Sequence, residues 1–253
     1  MPPRFGRSGA AVASLSVVTL AVLSGCSWQQ DSARPDAVVR LAVVDSGIAA
    51  NLNVFREYSI SRDTDFVSSS HGTMMASVAL GVNGLSAEAV DPDLVEVLSI
   101  NIDAGTDVGA DAIARGIGRA VDRGADVILV SRGVRRGADA LQAAVQQASS
   151  HGAMVVAAAG NVRFLPADYP ARYPDVLSVG ARYRDGRLWE LSASEPVDTF
   201  AAGVNVPVVG PDGVVRTESG TSIAAAVVAR DVLQQLVTGE LEEPRGFIPM
   251  SNE

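Results

Sequence analysis

Five nearly continuous runs of Val, Leu, Ile and Ala lie along the chain at 38–44, 94–100, 125–131, 154–159 and 176–181. A strand with one face in water alternates apolar and polar residues, whereas a run apolar at every position must be covered on both faces. Between the runs lie segments with helical periodicity at 72–80, 107–123, 138–150 and 222–236; the second carries Ile113, Ile117 and Val121 on one face. Strands alternating with helices imply an α/β fold, a mostly parallel sheet with helices on both faces in three layers. In such sheets the working residues gather at the carboxyl ends of the strands. Asp45, Ser131 and Asn161 each fall there.

Composition narrows the function. Acids outnumber bases 29 to 20, for a net charge of −9, and every base is Arg. Phosphate binding needs a basic surface, so nucleic acid is not expected as a partner. Aromatic residues are 5% of the chain, too few for a stacking surface, and the core must be built from aliphatic side chains.

The first 25 residues read as a signal peptide. Arg4 and Arg7 precede a mostly apolar stretch from Gly9 to Leu23, shorter than the ~20 residues of a comfortable membrane span. Leu23-Ser24-Gly25-Cys26 resembles the bacterial lipobox, which implies diacylation of Cys26 and a membrane anchor on the extracytoplasmic side. A plain secretory signal and an uncleaved anchor are the alternatives. Cys26 is the single cysteine, so no internal disulfide can form. Residues 26–36 are expected to form a tether, 37–237 the folded domain, and 238–253 a loose tail with Pro244, Gly246 and Pro249.

A serine hydroxyl attacks a carbonyl only when an imidazole takes its proton and an acid orients that imidazole. The chain has two histidines. His151 stands before Gly152 at the end of a helical segment and reads as a cap, whereas His71 opens another helical segment in Ser70-His71-Gly72-Thr73. Asp45-Ser46-Gly47, His71-Gly72-Thr73 and Gly220-Thr221-Ser222-Ile223-Ala224, in that order, resemble the three signature motifs of the subtilisin-like serine peptidases. Ala157-Ala158-Ala159-Gly160-Asn161 resembles the same family's oxyanion segment.

The resemblance spans residues 38–237 and implies a subtilisin-like fold. It implies Asp45, His71 and Ser222 as the triad, Asn161 in the oxyanion hole, and Ser131-Arg132-Gly133 as the edge to which a peptide substrate adds. No metal is indicated; the calcium-binding insertion common in the family is not recognisable at 80–90.

Three departures stand out. Ala225-Ala226 follows the serine motif where the family usually has a small residue and Pro. Arg132 occupies a position that is usually an apolar pocket wall. Arg163, in a short loop, is expected near the primary pocket, where it would favour side chains that are not simply large and apolar, acidic ones included. Only about ten residues separate Cys26 from the first strand, leaving no room for a pro-domain. Folding is therefore expected to be unaided or to use a separate chaperone or precursor-peptide partner. The alternative function is a catalytically silent, peptide-binding lipoprotein on the same fold.

Overall fold

A computed structural model describes residues 38–84, 89–103, 109–193 and 195–247. The signal segment, Cys26 and the tether lie outside the described residues, as do 248–253.

Seven strands form one parallel sheet: β1 (Val39–Asp45), β2 (Ser59–Arg62), β3 (Val95–Asn101), β4 (Val127–Val130), β5 (Met154–Ala158), β6 (Val176–Arg182) and β7 (Thr199–Ala202). Their order is β2-β3-β1-β4-β5-β6-β7. In-register ladders such as Val43↔Ser99 and Val43↔Leu129 flank β1. Because side chains alternate across a strand, each apolar run feeds two cores. Leu41, Val43, Leu129 and Val156 face one core; Ala42, Val44, Ile128 and Val155 face the other.

The first core is closed by α1 (His71–Ala79) and α4 (Thr221–Val237). The second is closed by α2 (Ala110–Asp122) and α3 (Asp139–Ser150). His151 ends α3 as its cap residue, with Nδ1 2.8 Å from Gln147 O. A small antiparallel hairpin of β8 (Val206–Val209) and β9 (Val215–Glu218) precedes α4. α4 runs unbroken through Ala225 and Ala226, both fully buried, so the helix continues where the family usually has Pro.

The tail expected to be loose is packed where it is described. Pro244 is buried, Leu241 and Phe247 rest on the first core, and Arg245 donates to Ser149 O (2.9 Å). The apolar contacts of those two side chains outweigh the loop-like composition that suggested a free end.

The chain crosses from one side of β1 to the other between β3 and β4. Such a reversal opens a crevice at the carboxyl ends of the strands. β1 ends there in Asp45, and Ser131 follows β4 at the same level.

Candidate active site

Asp45 is the last residue of β1 and is completely buried. His71 is the first residue of α1, and its Nδ1 lies 2.8 Å from Asp45 Oδ2. Ser46 joins the two elements. Its N–H donates to Asp45 Oδ1 (2.7 Å), and its hydroxyl accepts from the Gly72 N–H (2.9 Å) while donating to Ser69 O (3.1 Å). One of the free N–H groups at the start of α1 is thereby satisfied by the strand end it must meet. The approach is close: a Cβ on Gly72 would lie 2.5 Å from Gly47 O, so any side chain there would push His71 away from Asp45.

Burial alone would push the Asp45 carboxyl up. The hydrogen bond and charge of His71, the charge of Arg132 and the Ser46 N–H together hold it below the usual carboxylate range. Asp45 therefore stays ionised, and an ionised carboxylate on Nδ1 fixes the tautomer with Nε2 free to accept a proton.

Ser222 is the second residue of α4, so its N–H has no carbonyl to bond within the helix. The Ser222 hydroxyl donates to Ser131 O (3.0 Å). A hydroxyl has one proton, so it does not donate to His71 at the same time. Asn161 sits beside it with a defined orientation. Its Oδ1 accepts from both the N–H and the hydroxyl of Thr221, each at 2.8 Å. The Thr221 hydroxyl in turn accepts from the Gly160 N–H (3.0 Å). With Oδ1 engaged twice, the donor end of the amide is the one left for a ligand.

These groups share one open cleft of about 330 Å³, lined by His71, Ser131, Arg132, Gly133, Asn161 and Ser222, with Asp168 also on its wall. Arg132 belongs to the cleft but turns its side chain back: NH2 bonds Asp103 Oδ2 (2.5 Å), and Nε lies 3.8 Å from Asp45 Oδ1. The expected pocket-wall position is therefore held by a cation drawn to two carboxylates. Arg163 stands off the cleft. It is exposed, with its guanidinium 4.4 Å from the centroid of the Phe164 ring, in a loop where Phe164 adopts φ +65°.

Motif reading did not single out Ser46, Asp103 or Asp168. Ser46 lies inside a quoted motif, while the other two come from loops with no local pattern. Among the described residues, no three His, Cys, Asp or Glu side chains gather as a metal site would need.

Residues 37–236 match the subtilase family. Subtilisin BL of Lederbergia lenta is 31% identical over 203 residues, which cover 76% of this chain and 73% of that protein. The subtilisin of Bacillus pumilus is 34% identical over 203 residues, covering 76% of this chain and 74% of its own. Two solved structures are similar throughout the domain. The patellamide maturation protease PatA has a TM-score of 0.73 and 26% identity, covering 83% of this chain and 84% of that one. The prenylagaramide maturation protease PagA has a TM-score of 0.72 and 25% identity, covering 84% and 81%. With the parallel sheet, the match across the whole described domain and these relatives in agreement, the chain belongs to the subtilase family and is a serine-type endopeptidase.

Proposed function

We propose that Ser222 is the nucleophile, His71 the general base and acid, Asp45 its orienting carboxylate, and Asn161 an oxyanion donor. The observation that carries this reading is the 2.8 Å contact between His71 Nδ1 and Asp45 Oδ2, made in a cleft where Asn161 is locked beside Ser222. The Ser222 hydroxyl leaves Ser131 O by a χ1 rotation and donates to His71 Nε2. Oγ then bonds the substrate carbonyl carbon, and its proton passes to the imidazole. The oxygen of the tetrahedral intermediate takes its negative charge toward the Asn161 amide and the Ser222 N–H at the start of α4. The peptide C–N bond breaks as His71 returns the proton to the leaving amine. Water, deprotonated by His71, cleaves the acyl ester and restores Ser222. These steps call for no cofactor.

The substrate is a peptide or protein, lying extended along Ser131-Arg132-Gly133. The relatives solved as maturation proteases of patellamide and prenylagaramide favour a precursor peptide as the natural substrate. Leu23-Ser24-Gly25-Cys26 supports lipidation of Cys26 and anchoring on the outer side of the bacterial cytoplasmic membrane.

Labelling of the full chain with a fluorophosphonate probe tests the nucleophile. The label is expected on wild-type protein and absent from Ser222→Ala; a folded wild-type protein that takes no label refutes the reading. For the anchor, Cys26→Ser is expected to move the protein from the membrane fraction to the soluble one.

A further inference from the structure

The chain segments after β4 and β5 form the two walls of the cleft beside Ser222, and each carries a glycine, Gly133 and Gly160. The side chain of Asp168 lies against both glycines. A Cβ on Gly133 would lie 2.6 Å from Asp168 Cβ, and one on Gly160 would lie 2.7 Å from Asp168 Oδ2. The Asp168 side chain is 15% exposed. It is held from behind: its N–H donates to Ala159 O (2.8 Å), and its Oδ1 accepts from Arg135 NH1 (2.5 Å), which also donates to Pro166 O (2.9 Å). Among the described residues no donor bonds Oδ2. A carboxylate oxygen with open lone pairs thus lies against both glycines, on the wall of the cleft that His71 and Ser222 share.

The substrate residue whose carbonyl is attacked is one bond from the reacting atom, so its side chain is the one that must enter between these walls. An apolar side chain there would shut water away from Asp168 Oδ2 and leave it without a partner, at the cost of desolvating a charge. A guanidinium or ammonium head supplies the missing donor through a charge-assisted hydrogen bond. The long unbranched stem of Lys or Arg can lie along the cleft while its charged head reaches the Asp168 carboxylate on the wall. Arg135 offsets only part of the carboxylate's pull, because it is about half exposed and engages Oδ1 alone. The net charge of −9 adds a long-range field that gathers cationic peptides. We propose that Asp168 makes this peptidase selective for Lys or Arg at the residue whose carbonyl is attacked. The proposal rests on the assignment of Ser222 as nucleophile. It stands in place of the acidic preference expected from Arg163, which is not among the residues lining the cleft.

The test is a set of otherwise identical peptides with Arg, Lys, Leu, Phe or Glu at that position, cleaved by the full chain. Wild-type kcat/KM is expected to favour Arg and Lys over Leu and Phe by about tenfold or more, and Asp168→Asn to lower that ratio by about ten- to hundredfold. Arg135→Gln, which frees Oδ1, is expected to raise the ratio and serves if Asp168→Asn does not fold. A best substrate with Leu, Phe or Glu overturns the proposal, as does an arginine preference that survives Asp168→Asn. If the fluorophosphonate labels nothing, the nucleophile assignment fails by itself. Equilibrium binding of the same peptides to Ser222→Ala then decides for Asp168: tighter binding of the arginine peptide than the leucine peptide upholds it, and equal binding removes it.

Discussion

The two faces of the sheet are built from the same strands and do different work. On one face, α1 and α4 start with the site itself: His71 opens α1, and Ser222 stands in the first turn of α4. Both helices are rich in Ala, Val, Ile or Met, and each packs on the other as well as on strands. On the opposite face α2 and α3 present one apolar stripe inward through Ile113, Ile117, Leu141 and Val145, and their outer faces carry Asp, Arg and Gln. Neither contributes a group to the cleft. α2 and α3 also pack on each other and on strands, so what separates the two faces is that only the first starts its helices at the cleft. Changes to the cleft side chains that the first face carries should therefore alter catalysis at near-constant stability, and changes deep in the second face should do the reverse.

Substitutions can break that division. The largest effect is expected for Ser222→Ala, with kcat on a peptide substrate lowered by about 10⁴- to 10⁶-fold and the melting temperature unchanged. Next comes Asn161→Ala, expected to lower kcat by about 10²- to 10³-fold with little change in KM, since the amide acts when charge develops on the carbonyl oxygen. On the opposite face Ile117→Ala removes a fully buried side chain. It is expected to cost about 2–5 kcal/mol in denaturant unfolding, with kcat per folded molecule as in the wild type. A loss of kcat in that variant would show the faces to be coupled.

The smallest effect is a pH effect. Asp45 is held below its ordinary value in the fold, so it contributes stability above the unfolded carboxylate pKa, lost as pH falls through the lowered folded value. Arg132→Gln removes one cause of that lowering. The midpoint of acid unfolding is then expected to move up by about half a pH unit, read by circular dichroism. A shift in the other direction would mean that Arg132 destabilises the ionised carboxylate.

Most of the sheet is legible in the sequence because burial on both faces writes itself as unbroken apolar runs. Strands β1, β3, β4, β5 and β6 start and end within a residue or two of those runs. The strands that leave no such trace are short and partly wet. β2 is Ser-Ile-Ser-Arg, β9 is exposed along its whole length, and β8 carries Pro207. Asp45, His71, Asn161 and Ser222 were found through motifs whose spacing reflects strand ends and helix starts. The family resemblance gives the positions of Arg132 and Arg163, but the direction of a long side chain is set by the partners the fold brings to it. Arg132 turns to Asp103 and Asp45, and Arg163 to its neighbour Phe164. Asp168 carries no local signal, since the residues that give it meaning, Gly133, Arg135 and Gly160, are brought to it only by the parallel pairing of β4 with β5 and the turn beyond.

α4 leans on β4, β5, β6 and β7 and on α1, and its inner face, from Ala224 through Ala229 to Leu233, is wholly buried. Its amides can exchange with deuterium only when the sheet and the helix come apart together. The serine is carried by this helix, so thermal inactivation and global unfolding should follow a single time course. Local opening of the exposed 162–166 loop would leave a heated sample fully titratable at Ser222.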